Sequence, residues 1–560
     1  MNKLSMLLLA TVLSSGTALA QSAPWKITQP QWTESHENSF GEFVSRIGDA
    51  VEQRKCNTVD TCLKSTANPY INSDPAGINY YSDCADLPYY LRAYFAWKNQ
   101  LPFSVIRAME ANPDETATVI DSITGLFEAP RDIRYSPRGN SVKERYDVII
   151  KKGFVKNTYP DAVEVLNRRV PGLTYSANFR ILGDIDSDTL YSDFYPVKLN
   201  RSGVRPGTVI YDPNGHVAII YKVTDDGRVF YIDAHPDNTL TMGLYTPKFV
   251  RSNPAQGAGF KRFRPLRLVG ASVDSSGNYT GGYYQAAKNS ELKDYGLEQF
   301  FGTNPDPAGN WKKGTFAVQG QKVGYYDYVR MALTIGEQHI DPLADMATLI
   351  DDICVSLQDR VAAVDGARTA GLHLKPHPER LPYNIYGTSG EWENFSTPSR
   401  DARLKVSFMD LLAQTQKNID AWRANSKVIK YAGGNLAKDL YAIYAQKAQA
   451  CQFSYTTTNG KKVLMNLEAG RQRLWAMSFD PYHCIERRWG ARTQEELASC
   501  TDDANKTAWY NQEKWLRNQW ERKYDARMDF SLSELTGPLP SAGIEQAPDT
   551  DIVTYLRSQM

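Results

Sequence analysis

The sequence predicts an α+β protein, in which a helix and an antiparallel sheet are followed by a mainly helical C-terminal half. Three runs between residues 208 and 234, TVIYD, HVAIIYKV and RVFYIDA, are rich in β-branched and aromatic residues, which is typical of strands. Residues 85–99 carry apolar side chains at helical spacing, and long segments beyond residue 325 repeat their apolar residues every 3.6 positions.

The predicted strands form a hairpin. Asp226-Gly227 joins the second and third strands, and this dipeptide is a strong hairpin-turn signal. In the C-terminal half, helices are predicted within residues 338–364, 402–424, 435–450 and 507–528. The Pro-containing end of the chain, after Pro538, is expected to be loosely held.

The N-terminus has the pattern of an export signal, predicted over residues 1–20. Lys3 provides a positive charge, residues 6–13 are apolar, and Ala18-Leu19-Ala20 offers a small-x-small cleavage site. The apolar run is shorter than the roughly 20 residues that span a bilayer. We therefore expect a periplasmic or secreted protein with no integral membrane segment after signal removal.

The charge balance bears on possible partners. Lys plus Arg number 64 and Asp plus Glu number 63, so the chain is close to neutral. A protein that binds nucleic acid through its phosphates carries a basic excess. No nucleic-acid partner is therefore expected, while the oligomeric state is not indicated by the sequence.

The sequence has seven cysteines, an odd number, so they cannot all pair with one another in disulfides. Six are expected to pair in an oxidising compartment, which leaves one thiol free. Cys84 is the predicted free thiol because its neighbourhood is suited to catalysis. The pairing that we favour among fifteen possibilities is Cys56 with Cys62, Cys354 with Cys451, and Cys484 with Cys500.

Cys84 is the candidate nucleophile. It follows Ser82-Asp83, which are suited to capping, and comes just before the predicted helix. At this position the helix dipole is expected to lower the pKa of the thiol, and the backbone N–H of Cys84 could face a developing oxyanion.

His216 is the candidate base. It opens a predicted strand directly after the turn at residues 212–215, so its ring is expected at the rim of the sheet. Alternation along the hairpin leaves three possible partners that could orient the ring, namely Asp233, His235 and Asp237. A simple flat register places Asp237 nearest to His216.

Several motifs resemble those of a known superfamily. Asp83-Cys84-Ala85-Asp86-Leu87 is similar to the D-C-S-G-L signature of NlpC/P60 cysteine peptidases. Residues 205–211, RPGTVIY, resemble their R-P-G-D-L-V-F strand, and residues 215–220, GHVAII, resemble the histidine strand of NlpC/P60 and CHAP amidases. Thr208 stands in place of the usual Asp, and Ala85-Asp86 in place of Ser-Gly.

The resemblance implies a papain-like domain and assigns roles within it. It makes Asp233 the first choice for orienting His216, His235 an assisting polar group, and Tyr80 or Tyr81 a hydroxyl donor to the oxyanion. The long separation between the Cys and His motifs implies an insertion at about 105–200. The expected organisation is a signal peptide at 1–20, a papain-like domain at 21–270, a connection at 271–325, a helical domain at 326–545 and a tail at 546–560.

The functional hypothesis is an exported cysteine hydrolase that cleaves an amide bond, with peptide or peptidoglycan stems as the substrate and no cofactor. Two alternatives stay open: a papain-fold transglutaminase, deamidase or protein-directed protease, and a non-catalytic binding protein. No metal site is expected, because His373 and His377 have no carboxylate at metal-ligand spacing. His483 precedes Cys484, which is assigned to a disulfide.

Overall fold

The computed structural model describes residues 23–113, 118–119, 127–128, 132–183, 186–187, 190–251, 253–318, 320–386, 390–524, 526–536 and 543–560. The predicted signal peptide lies outside the described residues. The chain has a mixed α and β architecture with a helical C-terminal region, as the sequence predicted at this level.

Helices dominate residues 23–100. Thr33 caps the first helix, where its hydroxyl accepts from the His36 N–H, and Thr58 caps the second in the same way. The predicted helix after Cys84 is present. The elements are α1 (Glu34–Glu52), α2 (Val59–Leu63), a 3₁₀ turn (Ile71–Ser73) and α3 (Asp86–Lys98).

Residues 104–196, most of the expected insertion, contain both strands and short helices. Its longest strands pair as an antiparallel ribbon of β1 with β4. The elements are β1 (Ser104–Ala111), β2 (Thr118–Val119), β3 (Phe127–Glu128), β4 (Asn140–Asp147), α4 (Ala162–Glu164), a π turn (Val165–Arg169), α5 (Val170–Leu173), a 3₁₀ turn (Ser176–Phe179) and β5 (Phe194–Pro196).

A six-stranded antiparallel sheet is the centre of the N-terminal half. Its strands are β5, β6 (Val209–Asp212), β7 (His216–Val223), β8 (Val229–Ala234), β9 (Leu240–Leu244) and β10 (Gly259–Phe263), in the order β5-β10-β6-β7-β8-β9. The three predicted strands are β6, β7 and β8. They are nearly continuous apolar runs because both faces of the sheet are buried.

The two faces of β7 belong to different cores. Val217 and Ile219 pack in the cluster that contains residues of α1 and α3. Ala218 and Ile220 pack on the opposite face with Tyr231 and residues of a helix beyond residue 324. The strand therefore lies between the N-terminal helices and the second half of the chain.

The expected connection at 271–325 contains short elements. The strand β11 (Leu266–Val269) ends just before it. The connection's own elements are β12 (Ser272–Val273), β13 (Tyr279–Thr280), β14 (Tyr283–Ala286), α6 (Glu298–Phe301), β15 (Phe316–Val318) and β16 (Gln321–Val323). Each strand pairs in a two-stranded ribbon, and Leu266 and Ala286 are buried in the core beneath α1 and α3. The segment is thus packed onto the N-terminal half.

The C-terminal region consists of helices around a separate core. The predicted helix at 507–528 is shorter than expected, because the chain becomes extended at Gln519. The elements are α7 (Tyr325–Leu333), α8 (Pro342–Thr369), α9 (Gly390–Phe395), α10 (Pro398–Arg423), α11 (Leu436–Ala450), β17 (Gln452–Thr456), β18 (Lys462–Asn466), α12 (Leu467–Arg473), α13 (Ile485–Arg488), α14 (Ala504–Gln512), α15 (Lys514–Asn518) and α16 (Ile552–Gln559).

The end of the chain is not a loose tail. Residues 546–560 contain α16, whose Ile552 and Leu556 are buried in the same core as residues of α11. Asp551 caps this helix by accepting from the Thr554 N–H. The expectation of a loosely held end is corrected, because two apolar residues one turn apart anchor the helix.

All three favoured disulfides are present, which confirms that part of the sequence prediction. They join Cys56 to Cys62, Cys354 to Cys451 and Cys484 to Cys500. Cys84 is the free cysteine of the chain. Three disulfides in one chain are typical of a protein from an oxidising compartment.

Buried ion pairs connect the two halves. Lys248 Nζ lies 2.7 Å from Asp352 Oδ1 on α8, and Arg522 Nη2 lies 2.6 Å from Asp212 Oδ2 on β6. Breaking such pairs is costly because it leaves a buried charge without a partner. Among the described helices, none is both long and apolar enough to cross a membrane.

Candidate active site

His216 and Asp233 meet on neighbouring strands of the sheet. His216 Nε2 lies 2.8 Å from Asp233 Oδ2, and both side chains are buried. The Thr241 hydroxyl on β9 donates to the other carboxylate oxygen of Asp233 at 2.5 Å. Both oxygens of the carboxylate are thereby fixed, so that the orientation of the imidazole is fixed as well.

The register of the hairpin explains why Asp233 contacts His216. Ile220 pairs with Tyr231 but Lys222 pairs with Phe230, so a β-bulge lies between the two pairs. Val223 pairs with Val229, so the hairpin loop has already shifted the register by one residue, and the bulge shifts it by one more. The flat register that would bring Asp237 to His216 is therefore wrong. Asp237 instead lies in the turn after β8, where its carboxylate accepts from the Thr239 N–H at 3.0 Å.

Cys84 lies in the turn directly before α3, one residue ahead of the N-cap residue Ala85. Asp83 caps this turn, since its carboxylate accepts from the backbone N–H groups of Ala85 at 2.9 Å and Asp86 at 3.0 Å. The backbone N–H of Val217 is close enough to the Cys84 sulfur to act on its pKa, which it lowers. The thiol therefore lies against the start of β7, next to the residue that carries the imidazole.

Cys84 and His216 line one cavity of about 200 Å³. Among the described residues, no hydrogen bond joins the thiol to the imidazole. Catalytic hydrogen bonds of enzymes without substrate are often long and shorten only when substrate binds. Because Asp233 occupies Nε2 of His216, Nδ1 is the ring nitrogen available for proton exchange in this cavity.

Desolvation is the main cause of the pKa shifts of Cys84 and His216. The protein around the cavity and the Asp83 carboxylate raise the pKa of Cys84 well above its usual range. Burial, together with the positive charge of Arg403, lowers the pKa of His216 to about 4. The expected lowering of the Cys84 pKa by the helix dipole is therefore corrected. At neutral pH the resting pair is a neutral thiol and a neutral imidazole.

Asp233 remains ionised in this environment. Burial alone would raise its pKa, but the hydrogen bonds from His216 and Thr241 and the neighbouring imidazole of His235 hold the pKa well below its usual range. A permanently charged carboxylate stabilises an imidazolium that forms during a reaction. The site thus contains a thiol, a base and an anionic partner for the base.

His235 also lines the cavity, and it connects the sheet to the C-terminal half. Its Nε2 lies 3.1 Å from the Thr241 hydroxyl and 3.6 Å from Asp359 Oδ1, and its Nδ1 lies 3.4 Å from Arg400 Nη2. The ring is therefore held between the strand β9 and side chains of α8 and α10.

The two tyrosines proposed for the oxyanion make other contacts. The Tyr80 hydroxyl donates to the Asp74 carboxylate, and the Tyr81 hydroxyl donates to the Pro236 carbonyl at 2.7 Å. Neither lines the cavity that contains Cys84. The backbone N–H of Cys84 is the oxyanion donor that remains from the sequence analysis.

The C-terminal region forms the other wall of the cavity, which the sequence analysis did not anticipate. The only signal in the sequence is the i, i+3 spacing of Arg400 and Arg403, which places them on one face of a helix without indicating what they meet. The lining residues from this region include Tyr386, Trp392, Arg400, Arg403 and Tyr524.

A second buried cluster has residues that can ligate metals. Ligand atoms of His377, Asp480 and Glu513 all lie within 4.8 Å of one another. However, His377 Nε2 lies 2.7 Å from Asp480 Oδ2, a hydrogen-bond distance, while two ligands of one tetrahedral zinc ion are separated by about 3.3 Å. The His377 Nδ1 faces the Pro378 carbonyl at 2.6 Å. The cluster is a network of hydrogen bonds between imidazoles and carboxylates.

No protein-family model matches this chain, and no similar protein was found among the curated proteins or the solved structures.

Proposed function

We propose that this protein is an exported cysteine hydrolase that cleaves an amide bond in peptidoglycan stem peptides. The observation that carries the proposal is the free thiol of Cys84 in one cavity with His216, whose ring is held by Asp233 at 2.8 Å. A nucleophile, a base and a group that orients the base are the minimum set for nucleophilic catalysis.

The two neutral groups favour general-base catalysis. As the Cys84 sulfur attacks the amide carbonyl, its proton moves to Nδ1 of His216, and the carbonyl oxygen becomes an oxyanion that the Cys84 backbone N–H stabilises. His216 then gives this proton to the leaving nitrogen, and a thioester to Cys84 remains. Water activated by His216 hydrolyses the thioester and regenerates the thiol. Asp233 stabilises the imidazolium in both steps.

The substrate and the compartment are supported by the sequence. The motifs around Cys84 and His216 resemble those of NlpC/P60 peptidases and CHAP amidases, a papain-like superfamily that acts on peptidoglycan. The N-terminal export pattern and three disulfides support a periplasmic or secreted location. The papain-like assignment of residues 21–270 is part of this proposal.

A non-catalytic binding role is the second candidate. It is favoured by the lack of a hydrogen bond between Cys84 and His216 among the described residues, and by the raised pKa of the thiol. In that case the cavity would hold a ligand without cleaving it.

The test is hydrolysis of purified muropeptides, followed by mass spectrometry. We expect the wild-type protein and a Ser275→Ala control, which changes an exposed turn residue, to split stem peptides. A Cys84→Ala variant is expected to lose turnover while keeping its circular dichroism spectrum. If Cys84→Ala and the wild type hydrolysed the muropeptides equally, Cys84 would be excluded as the nucleophile. A gain of one mass unit without cleavage would indicate a deamidase, and binding without any product would favour the second candidate.

A further inference from the structure

Arg403 is the feature of the cavity that the proposed chemistry does not use. It lies on α10 and lines the cavity together with Cys84 and His216. Its positive charge is close enough to lower the pKa of both of these residues. Within the part of the chain that the structure describes, Arg403 makes no hydrogen bond or ion pair.

The neighbouring arginines, in contrast, have anionic partners. Arg400 pairs with Asp359, and Arg522 Nη2 lies 2.6 Å from Asp212 Oδ2. Glu393 is the one acidic residue in the described lining, and its Oε1 lies 3.5 Å from Arg134 Nη1. The charge of Asp233 acts on Arg403, but Asp233 is bonded to His216 and Thr241 and does not line the cavity. No carboxylate in the described lining therefore forms an ion pair with Arg403.

A guanidinium that has no ion-pair partner among the described residues, in a partly desolvated cavity, favours an anionic ligand. Desolvation without pairing is unfavourable, and a carboxylate matches the planar fork of guanidinium donors. The walls beside it are aromatic, with Tyr386, Trp392 and Tyr524 among the lining residues. The cavity thus places the guanidinium of Arg403 beside aromatic side chains, while the second lining arginine, Arg400, is paired with Asp359.

The size of the cavity limits the ligand. Its volume of about 200 Å³ is below the roughly 300–1,000 Å³ of sites that enclose whole small molecules. Residues of α10, together with Tyr386 and Tyr524, line it along with residues of the sheet. A chain end fits such a space better than a strand that continues in both directions.

We propose that Arg403 binds the free C-terminal carboxylate of the substrate, so that the site removes the last residue of a peptide. This inference rests on the proposed function and names its substrate class as peptides with a free carboxyl end. In the reaction, Cys84 attacks the carbonyl of the last amide bond. The terminal amino acid leaves with a proton from His216 on its nitrogen, and its carboxylate stays paired with Arg403 until release.

The experiment compares two synthetic stem tetrapeptides that differ only in ending with a carboxylate or a carboxamide. We expect the wild type to release one residue from the tetrapeptide that ends with a carboxylate (the acid). For the tetrapeptide that ends with a carboxamide (the amide), we expect kcat/KM to be lower by about 100-fold, because a charged hydrogen-bonded pair is lost. Arg403→Gln is expected to cleave the acid about as slowly as the wild type cleaves the amide, and Arg403→Lys to recover part of the difference. Arg107→Gln, at an exposed position, is the matched control.

The outcomes separate the two proposals. Equal cleavage of acid and amide by the wild type, or cleavage at an internal bond only, would overturn the role of Arg403 and leave the hydrolase proposal standing. No cleavage of either peptide, or of muropeptides, by the wild type would overturn the proposed function and this inference with it. The wild-type comparison does not depend on whether the Arg403 variants fold.

Discussion

His216 Nε2 and Asp233 Oδ2 are 2.8 Å apart, although the carboxylate lies diagonally across the strand pair from the imidazole. The hairpin loop and the β-bulge near Ile220 together produce this arrangement, and the Thr241 hydroxyl fixes the second carboxylate oxygen. Because the carboxylate accepts from Nε2, the tautomer and the orientation of the ring are both set. This contact is the most specific part of the candidate site.

Replacing Asp233 by Asn should lower kcat by about 1,000-fold with little change in KM. The amide cannot stabilise the imidazolium that forms as His216 takes the proton, and comparable changes in other nucleophile–base sets lose up to roughly 10,000-fold. Steady-state hydrolysis of the acid tetrapeptide measures this. Asp237→Asn is the matched control, because that side chain is exposed in the turn after β8. Similar losses in the two variants would contradict the assignment.

The pH profile of kcat/KM should have its acid limb near pH 4. His216 has a pKa lowered to about 4, so the ring is deprotonated, and able to act as a base, throughout the range above this pH. Activity is expected to be level from about pH 5.5 to 7 and to fall as pH decreases through 4. Circular dichroism at each pH serves as the folding control. A limb at the ordinary histidine value of about 6.5 would show that the imidazole is not desolvated as described.

Cys84 should react slowly with a small disulfide reagent at pH 7 in the native protein. Burial raises the pKa of the thiol, so little of the reactive thiolate is present. In guanidinium chloride, one thiol per chain should react rapidly, since the other six cysteines are bridged. The Cys84→Ala variant has no free thiol, so its reaction with the reagent gives the background of the measurement. Rapid labelling of the native protein at pH 6 would instead show a lowered pKa.

The disulfide between Cys354 and Cys451 should contribute more stability than that between Cys56 and Cys62. It closes a segment with a sequence separation of 97, against 6 for the shorter bridge. The loss of chain entropy in the unfolded state predicts roughly 4–5 kcal/mol for the longer loop and about 2 kcal/mol for the shorter one. Urea denaturation of the two double Cys→Ala variants compares them. An equal loss would mean that native packing, and not loop length, determines the contribution.

The C-terminal region should lose stability at alkaline pH. His483 lies between Asp502 and Glu513, which raise the pKa of His483 to about 9. Its stabilising charge is fully present below the unfolded value of about 6.5 and is lost as pH rises through 9. Urea midpoints should fall between pH 7 and 10, and by less in His483→Gln. His339→Gln, at a more exposed position, should behave as the wild type.

The sequence by itself determined the local elements and the cysteine pairing. The three strands, the helix after Cys84 and the Asp226-Gly227 hairpin depend on residues close together in the chain, where propensity and turn chemistry act directly. The odd cysteine count predicted one free thiol, and the spacing of the others favoured the observed bridges. These features can be predicted without knowing which distant parts of the chain are in contact.

The tertiary structure alone decided which groups surround the thiol. A three-residue hairpin loop and a β-bulge, which simple alternation cannot reveal, each shifted the register by one residue and so brought Asp233 instead of Asp237 to His216. The closing of α10 over the sheet brought Arg403 into the cavity and desolvated Cys84, so that its pKa is raised and not lowered. Residues more than 300 positions apart in the chain meet here because burial of two apolar cores against one sheet, and not any local pattern, fixes their positions.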